Sequence, residues 1–201
     1  MINELIKRIP IVTDMISENH ARIIMQNLLK VIVKQVPGDI VELGCNVGTA
    51  SVFIRALLIE ANAKKAFHVY DSFEGLPDSA EQDNTEKRTA KPGDLKVPKE
   101  WFIKHFHELE LPLPVIHEGW FKNQYYPGKI AFAFLDGDFY SSIMDSWEKV
   151  FPRLSPGAIV CVHDYDYPPL PGVRAACNEF LEDKNYKSLD VDDHVAIIEL
   201  W

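Results

Sequence analysis

Short apolar runs alternate along this chain with longer segments whose apolar residues recur every three or four positions, and few architectures accept that exchange of periods. Strand-like runs stand at residues 39–43, 66–70, 115–117, 130–135 and 158–162. The helical pattern begins after Ser17, with Ile23, Ile24, Leu28, Val31 and Ile32 on one face before Pro37-Gly38 ends it. It returns from Thr49 to residue 62 and at 99–109, 142–151 and 173–183. Strands separated by helices pair in parallel, because a parallel neighbour needs a long crossover, and the crossovers cover both faces of the sheet. The last two runs, 186–191 and 195–200, are separated by Asp192-Asp193-His194 alone. So short a link forms a hairpin, which brings an antiparallel strand into the sheet.

The expectation is an α/β fold: a doubly wound, mostly parallel sheet with a C-terminal antiparallel hairpin and helices on both faces. The 201 residues suit a single domain, 1–201, with an N-terminal helical segment at 1–36. The polar stretch 78–99 has hardly an apolar side chain, and so long an irregular segment reads as a lid loop.

Charge narrows the partners. Lys and Arg number 21 against 30 Asp and Glu, a net −9. Residues 136–201 hold 13 of the acids and five of the bases. This balance argues against nucleic acid and against an anionic membrane surface. No apolar run reaches the length of a membrane span, and MINELIKRIP lacks the apolar centre of a signal peptide. Cys45, Cys161 and Cys177 make an odd count without metal-type spacing, so they read as reduced core residues of a cytoplasmic protein.

In a sheet of this kind ligands bind at the carboxyl ends of the strands. The first strand ends in Glu42-x-Gly44-x-x-x-Gly48 and opens onto a helix N-terminus, a turn that lets backbone approach a ligand. Its spacing differs from the G-x-G-x-x-G of dinucleotide binders, which places a nicotinamide dehydrogenase last among the readings. The second strand runs into Asp71, an acid able to accept from ribose hydroxyls or to cap a turn. Further on, strand ends carry Asp136-Gly137-Asp138 and His163-Asp164. Asp136, His163 and Asp164 could meet around Mg²⁺, Mn²⁺ or Fe²⁺, or simply cap the helices that follow. Gly119-Trp120-Phe121 and Tyr125-Tyr126 could stack on a base or sugar, or pack as core.

The segments GDIVELGCNVGTAS, YDSFEGLP, GWF, LDGDFYSS, LSPGAIVCVHDY and GVRAACNEF, in that order from about Pro37 to Leu181, resemble the macrocin O-methyltransferase family of S-adenosylmethionine-dependent sugar O-methyltransferases. The resemblance implies a Rossmann-like, seven-stranded sheet ending in the antiparallel hairpin. It implies S-adenosylmethionine as cofactor, with Glu42, Gly44 and Gly48 beside its methionine part, Asp71 on the ribose, and Ser72 and Phe73 beside the adenine. Cys45, Gly119, Trp120 and Asp136 complete the implied cofactor site. A divalent metal, Mg²⁺ first, would be held by Asp136, His163 and Asp164, with Asp138 as the general base. The family usually has two adjacent acids where this chain has His163-Asp164, so His163 is either a ligand or itself a base. The chain is also shorter at its amino end than typical members. The acceptor implied is a sugar hydroxyl of a glycosylated natural product, and the implied assembly a homodimer. A phenolic or catechol-like acceptor, or a non-catalytic S-adenosylmethionine-binding protein, are the other readings.

Overall fold

The computed structural model describes residues 1–87 and 90–201. Thirteen regular elements follow one another: α1 Ile2–Arg8, α2 Glu18–Val33, β1 Asp39–Leu43, α3 Thr49–Glu60, β2 Phe67–Asp71, α4 Lys99–Glu108, β3 Val115–Glu118, β4 Ile130–Leu135, α5 Tyr140–Val150, β5 Leu154–Val162, α6 Pro171–Leu181, β6 Ser188–Asp192 and β7 Val195–Glu199. They build one seven-stranded sheet in the order β3-β2-β1-β4-β5-β7-β6. Pairing is parallel from β3 to β5, whereas β7 runs antiparallel to both β5 and β6.

Alternation along the central strands feeds two cores. Ile40, Phe132, Phe134, Ile159 and Cys161 face a layer that includes Ile24 and Leu28 of α2 and Phe53 and Leu57 of α3. Their neighbours Val41, Leu43, Ala133, Leu135, Val160 and Val162 face Trp147 of α5 and Val173 and Cys177 of α6. All six residues of β4 are buried, as expected of a parallel strand covered on both sides.

The α2 helix begins with a reciprocal cap. The Ser17 hydroxyl accepts from the His20 backbone N–H at 3.0 Å, and His20 Nδ1 accepts from the Ser17 N–H at 3.3 Å. Histidine here does what glutamate or glutamine does in the usual capping box. Strand β5 starts earlier than the sequence pattern implies, at Leu154 rather than Ala158. Pro156-Gly157 lies within it, where the register with β4 jumps between Ile130–Leu154 and Phe132–Ile159.

The hairpin expected at the chain end is present. Its turn is Asp193-His194, both at positive φ (46° and 64°) between paired Asp192 and Val195, the twist that two-residue hairpins favour. Because β7 is antiparallel to β5, this turn lies at the same edge as the carboxyl ends of the parallel strands.

The chain winds outward from β1 through β2 to β3, then returns to the other side of β1 to begin β4. Strand order reverses there, and the crevice between the ends of β1 and β4 is where such sheets bind ligands. Gly44 forms its floor with φ +89°, and a Cβ built on it would sit 1.9 Å from the Asp136 carbonyl oxygen. Gly44→Ala should therefore lower unfolding free energy by ~3 kcal/mol or more in urea titration, combining left-handed strain with a backbone clash. Gly128→Ala, where a Cβ meets nothing within 4 Å, should stay within about 0.5 kcal/mol of the parent. Equal stability of the two variants would contradict this account.

Candidate active site

The backbone ladder runs past the strand ends and fixes the site residues. Gly44 N–H donates to Tyr70 O (2.8 Å), Asp136 N–H to Leu43 O (2.8 Å), and His163 N–H to Leu135 O (2.9 Å). The chain then turns sharply. Asn46, Phe73, Asp138 and Asp164 follow β1, β2, β4 and β5 by two or three residues, and all hold positive φ between 46° and 59°. Such conformations are costly outside glycine and collect at functional edges.

Asp71 organises the first half of the site. Its Oδ2 accepts from the backbone N–H groups of Cys45 (2.8 Å) and Asn46 (2.9 Å), and its Oδ1 from that of Phe73 (2.8 Å). A carboxylate has about four acceptor positions, so one is left for a ribose hydroxyl rather than two. Glu42 lies fully buried nearby. Its Oε2 accepts from the Ser51 hydroxyl at 2.6 Å, while Oε1 has no partner. Burial pushes the Glu42 carboxyl well above the usual carboxylate range, the Ser51 hydroxyl opposes that, and the charges of Asp136 and Asp71 add to it. An unpartnered buried carboxylate oxygen beside a glycine turn fits the ammonium of a methionine-like group.

The second half is an acid–imidazole cluster. Ligand atoms of Asp136, His163 and Asp164 lie within 4.8 Å of one another, as the sequence pattern proposes. The buried His163 places Nδ1 3.0 Å from Asp136 Oδ1 and 3.2 Å from Asp164 Oδ2. Burial works to lower the His163 pKa, but Asp136 and Asp164 outweigh it and hold it well above the ordinary value. Asp138 is shifted up by burial and by the charges of Asp136 and Asp164, against a smaller opposing effect of His163. Two carboxylates and one imidazole nitrogen suit a hard or borderline divalent cation, so the donor set fits the metal that the motif implies.

Both halves open into one cleft of about 1090 Å³, which Glu42, Gly44, Cys45, Asp71, Ser72, Trp120, Asp136, Asp138, His163 and Asp164 all line. Pockets for small-molecule ligands run to roughly 300–1,000 Å³, so a cleft at the top of that range has room for a cofactor together with a further reactant.

Phe73, Gly48 and Gly119, expected beside the cofactor, are not among the residues lining the cleft. Phe73 is buried against Phe102, with ring centroids 6.5 Å apart. Gly48 is set by packing: a Cβ there would fall 2.9 Å from the Phe102 ring. Gly119, at φ +130°, turns the chain after β3 beneath the Gln124 side chain and leaves Trp120 as the residue that reaches the cleft. Cys45 contributes its backbone, and burial pushes its thiol up, away from nucleophilic use.

The stretch read as a lid is partly tied down. Leu76 exchanges backbone hydrogen bonds with Gly93 and Asp94, closing a loop neck. Buried Asp83 accepts from Ala80 N–H and from Tyr140 N–H, each at 2.8 Å. The part of that expectation falling on Arg88 and Thr89 lies outside the described residues. Leu76, Pro77, Asp78, Ala90, Pro92 and Leu95 form a wall of the cleft.

Sequence reading missed the opposite wall. Thr13, Asp14, Met15, Ile16 and His20 line it from the N-terminal segment, and His194 from the hairpin turn. His20 is legible as a cap residue, but its spacing carries no sign of a second role. His194 could have been placed by noting that an antiparallel hairpin must turn back at the ligand edge.

The sequence model of the macrocin O-methyltransferase family (TylF) matches residues 8–197. Over 140 residues the chain is 38% identical to an 8-demethyl-8-(2,3-dimethoxy-alpha-L-rhamnosyl)-tetracenomycin-C 4'-O-methyltransferase of Streptomyces olivaceus, covering 65% of this chain and 54% of that one. Over 186 residues it is 29% identical to a demethyldecarbamoylnovobiocin O-methyltransferase of Streptomyces niveus, covering 88% and 68%. The chain thus spans between half and about two thirds of the length of these relatives. Among solved structures, the O-methyltransferase NovP superposes with a TM-score of 0.79 at 26% identity, covering 92% of this chain and 80% of its own.

The Glu42 shift has a measurable consequence. A carboxyl whose folded pKa lies above its unfolded value supports the fold fully below the unfolded pKa, and that support is lost as pH rises through the folded pKa. In urea titrations of the cofactor-free protein, Glu42→Gln should match the parent near pH 4 and exceed it at pH 8. A stability difference independent of pH would show that Glu42 is not held protonated by burial.

Proposed function

The chain belongs to the macrocin O-methyltransferase family, and from that premise we propose that it methylates a sugar hydroxyl of a glycosylated natural product, using S-adenosylmethionine and a divalent cation, Mg²⁺ first. One observation carries the reading: Glu42, whose Oε1 is buried without a partner, and the Asp136–His163–Asp164 set line the same cleft. The tetracenomycin relative is named for a rhamnosyl substrate, which supports a sugar as acceptor.

Each residue then has a part. Glu42 Oε1 meets the cofactor's ammonium, the free acceptor position of Asp71 meets one ribose hydroxyl, and Trp120 and Ser72 border the base. Asp136, His163 and Asp164 hold the cation. When bound, the cation would supply a Lewis acid and the cofactor a sulfonium-activated methyl group for transfer to the acceptor oxygen, with the neutral thioether as leaving group. A sugar hydroxyl is a weak nucleophile at neutral pH, so a carboxylate that removes its proton raises the rate. Asp138 is that base: it lines the cleft beside the cation ligands and is turned there by its left-handed backbone. His163 is a ligand in this scheme and not the base, since its Nδ1 faces two carboxylates. The wall built from Leu76, Pro77, Asp78, Ala90, Pro92 and Leu95 closes over the reactants. Three buried, free thiols support a cytoplasmic location.

Calorimetric titration with S-adenosylmethionine is the first test, and absence of binding would end this reading. With a glycoside acceptor, Asp138→Asn should lower kcat by about 10²-fold or more while cofactor affinity is kept. Excess chelator should abolish turnover without abolishing cofactor binding. Full turnover by Asp138→Asn would remove Asp138 as the base.

A further inference from the structure

The start of α2 touches the cation ligands. His20 Nδ1 lies 3.0 Å from His163 Nε2, with the rings edge-on, centroids 4.6 Å apart and planes at 75°. On its far side His20 Nε2 is 3.4 Å from Asp193 Oδ2, a carboxylate oxygen that also accepts from Asn19 Nδ2 at 2.9 Å. The four side chains form one line from the hairpin turn to the cleft: Asp193, His20, His163, Asp136.

The hydrogens along this line follow from the partners. The Ser17 backbone N–H can only donate, and it points at His20 Nδ1 from 3.3 Å. Nδ1 is therefore an acceptor, and His20 carries its hydrogen on Nε2, facing Asp193. An accepting Nδ1 on His20 requires a hydrogen on the Nε2 of His163 opposite it. With Nε2 so protonated, Nδ1 of His163 donates to the Asp136 and Asp164 side in the ion-free structure, and a cation held there would take the place of that proton. Metal-bound imidazoles are oriented in this way, the ring nitrogen remote from the ion donating to a fixed acceptor.

We propose that His20, held by Ser17 and Asp193, is a positioning residue of the cation site: it accepts from His163 Nε2–H and so presents Nδ1 to the ion. The proposal rests on the reading of Asp136, His163 and Asp164 as cation ligands. It makes the N-terminal segment and the C-terminal hairpin turn, remote in sequence, joint parts of one centre.

The test uses the full chain and Mn²⁺ alone, with free ion followed by electron paramagnetic resonance and ligand nitrogen by pulsed measurement of its coupling. The parent protein should bind Mn²⁺ with an imidazole nitrogen coupling. His20→Leu should weaken binding about 10–100-fold and diminish that coupling. His20→Asn, whose amide oxygen can replace Nδ1 as acceptor, should recover most of the affinity, which a packing role alone would not give. Circular dichroism and unchanged S-adenosylmethionine affinity establish that both variants fold. Parent-like affinity and coupling in His20→Leu would overturn the role of His20 and leave the cation site standing. Equal losses in the Leu and Asn variants would also overturn it. No Mn²⁺ binding by the parent would instead overturn the cation reading, and this inference with it.

Discussion

Three backbone N–H groups converge on the carboxylate of Asp71, and the ligand edge of the sheet is organised around that convergence. Two come from the turn after β1 and one from the turn after β2, so a single side chain joins the exits of neighbouring strands. Hydrogen bonds to a charged group contribute roughly 1.5–3 kcal/mol each, although bonds that share one acceptor do not simply add. With the β1 turn so held, Gly44 lies flat under the Asp136 carbonyl, at a separation that admits no side chain. The position of Asp136, and with it the acid–imidazole cluster, is thus set from the cofactor side. The two halves of the cleft share a rigid floor.

A second buried carboxylate does similar work on the outer wall. Asp83 accepts from the first N–H of α5, at Tyr140, and from Ala80 N–H, and it fits because Gly172 leaves room: a Cβ there would lie 1.7 Å from Asp83 Oδ1. An acid at a helix N-terminus is also favoured by the helix dipole. The polar segment between β2 and α4 therefore does not hang free at this point. It is hydrogen-bonded to the start of α5 and packs against the start of α6, the two helices that follow β4 and β5.

These contacts separate what the sequence could reveal from what it could not. Short apolar runs and the 3.6-residue period are local properties, and they located β1, β2, β4, α3 and α6 because both faces of the sheet are covered. The short link read at Asp192-Asp193-His194 specified the hairpin because chain length alone forbids a crossover. Strand-end chemistry was legible for the same reason, since parallel strands must present Glu42, Asp71, Asp136 and His163 at one edge. What stayed hidden depends on neighbours distant in sequence. Gly48 looks like a ligand glycine but makes way for Phe102 of α4. Phe73 follows the motif acid yet turns inward, because its own N–H is committed to Asp71. His20 satisfies a local rule as a helix cap, which conceals its reach to His163, 143 residues away.

The cleft also gathers charge that folding alone would avoid. Glu42 is a buried carboxyl and Asp138 a half-buried one, each raised first by desolvation and then by acids beside it, and Asp136 acts on both. Left-handed backbone at Asp138 and Asp164 adds conformational cost in the same place. Hydrophobic layers on both sides of the sheet offset this frustration, and β4, buried along its whole length, carries Asp136 and Asp138 immediately beyond its end. Under the proposed function, cationic groups would relieve it directly: a sulfonium cofactor with its ammonium at Glu42, and a divalent ion among Asp136, His163 and Asp164. Such ligands bind the folded chain and not the unfolded one, so they stabilise the arrangement that repulsion strains. The unfavourable electrostatics of the ligand-free cleft and the selectivity for cationic reactants proposed for it are therefore one property, set by which acids the strand ends bring together.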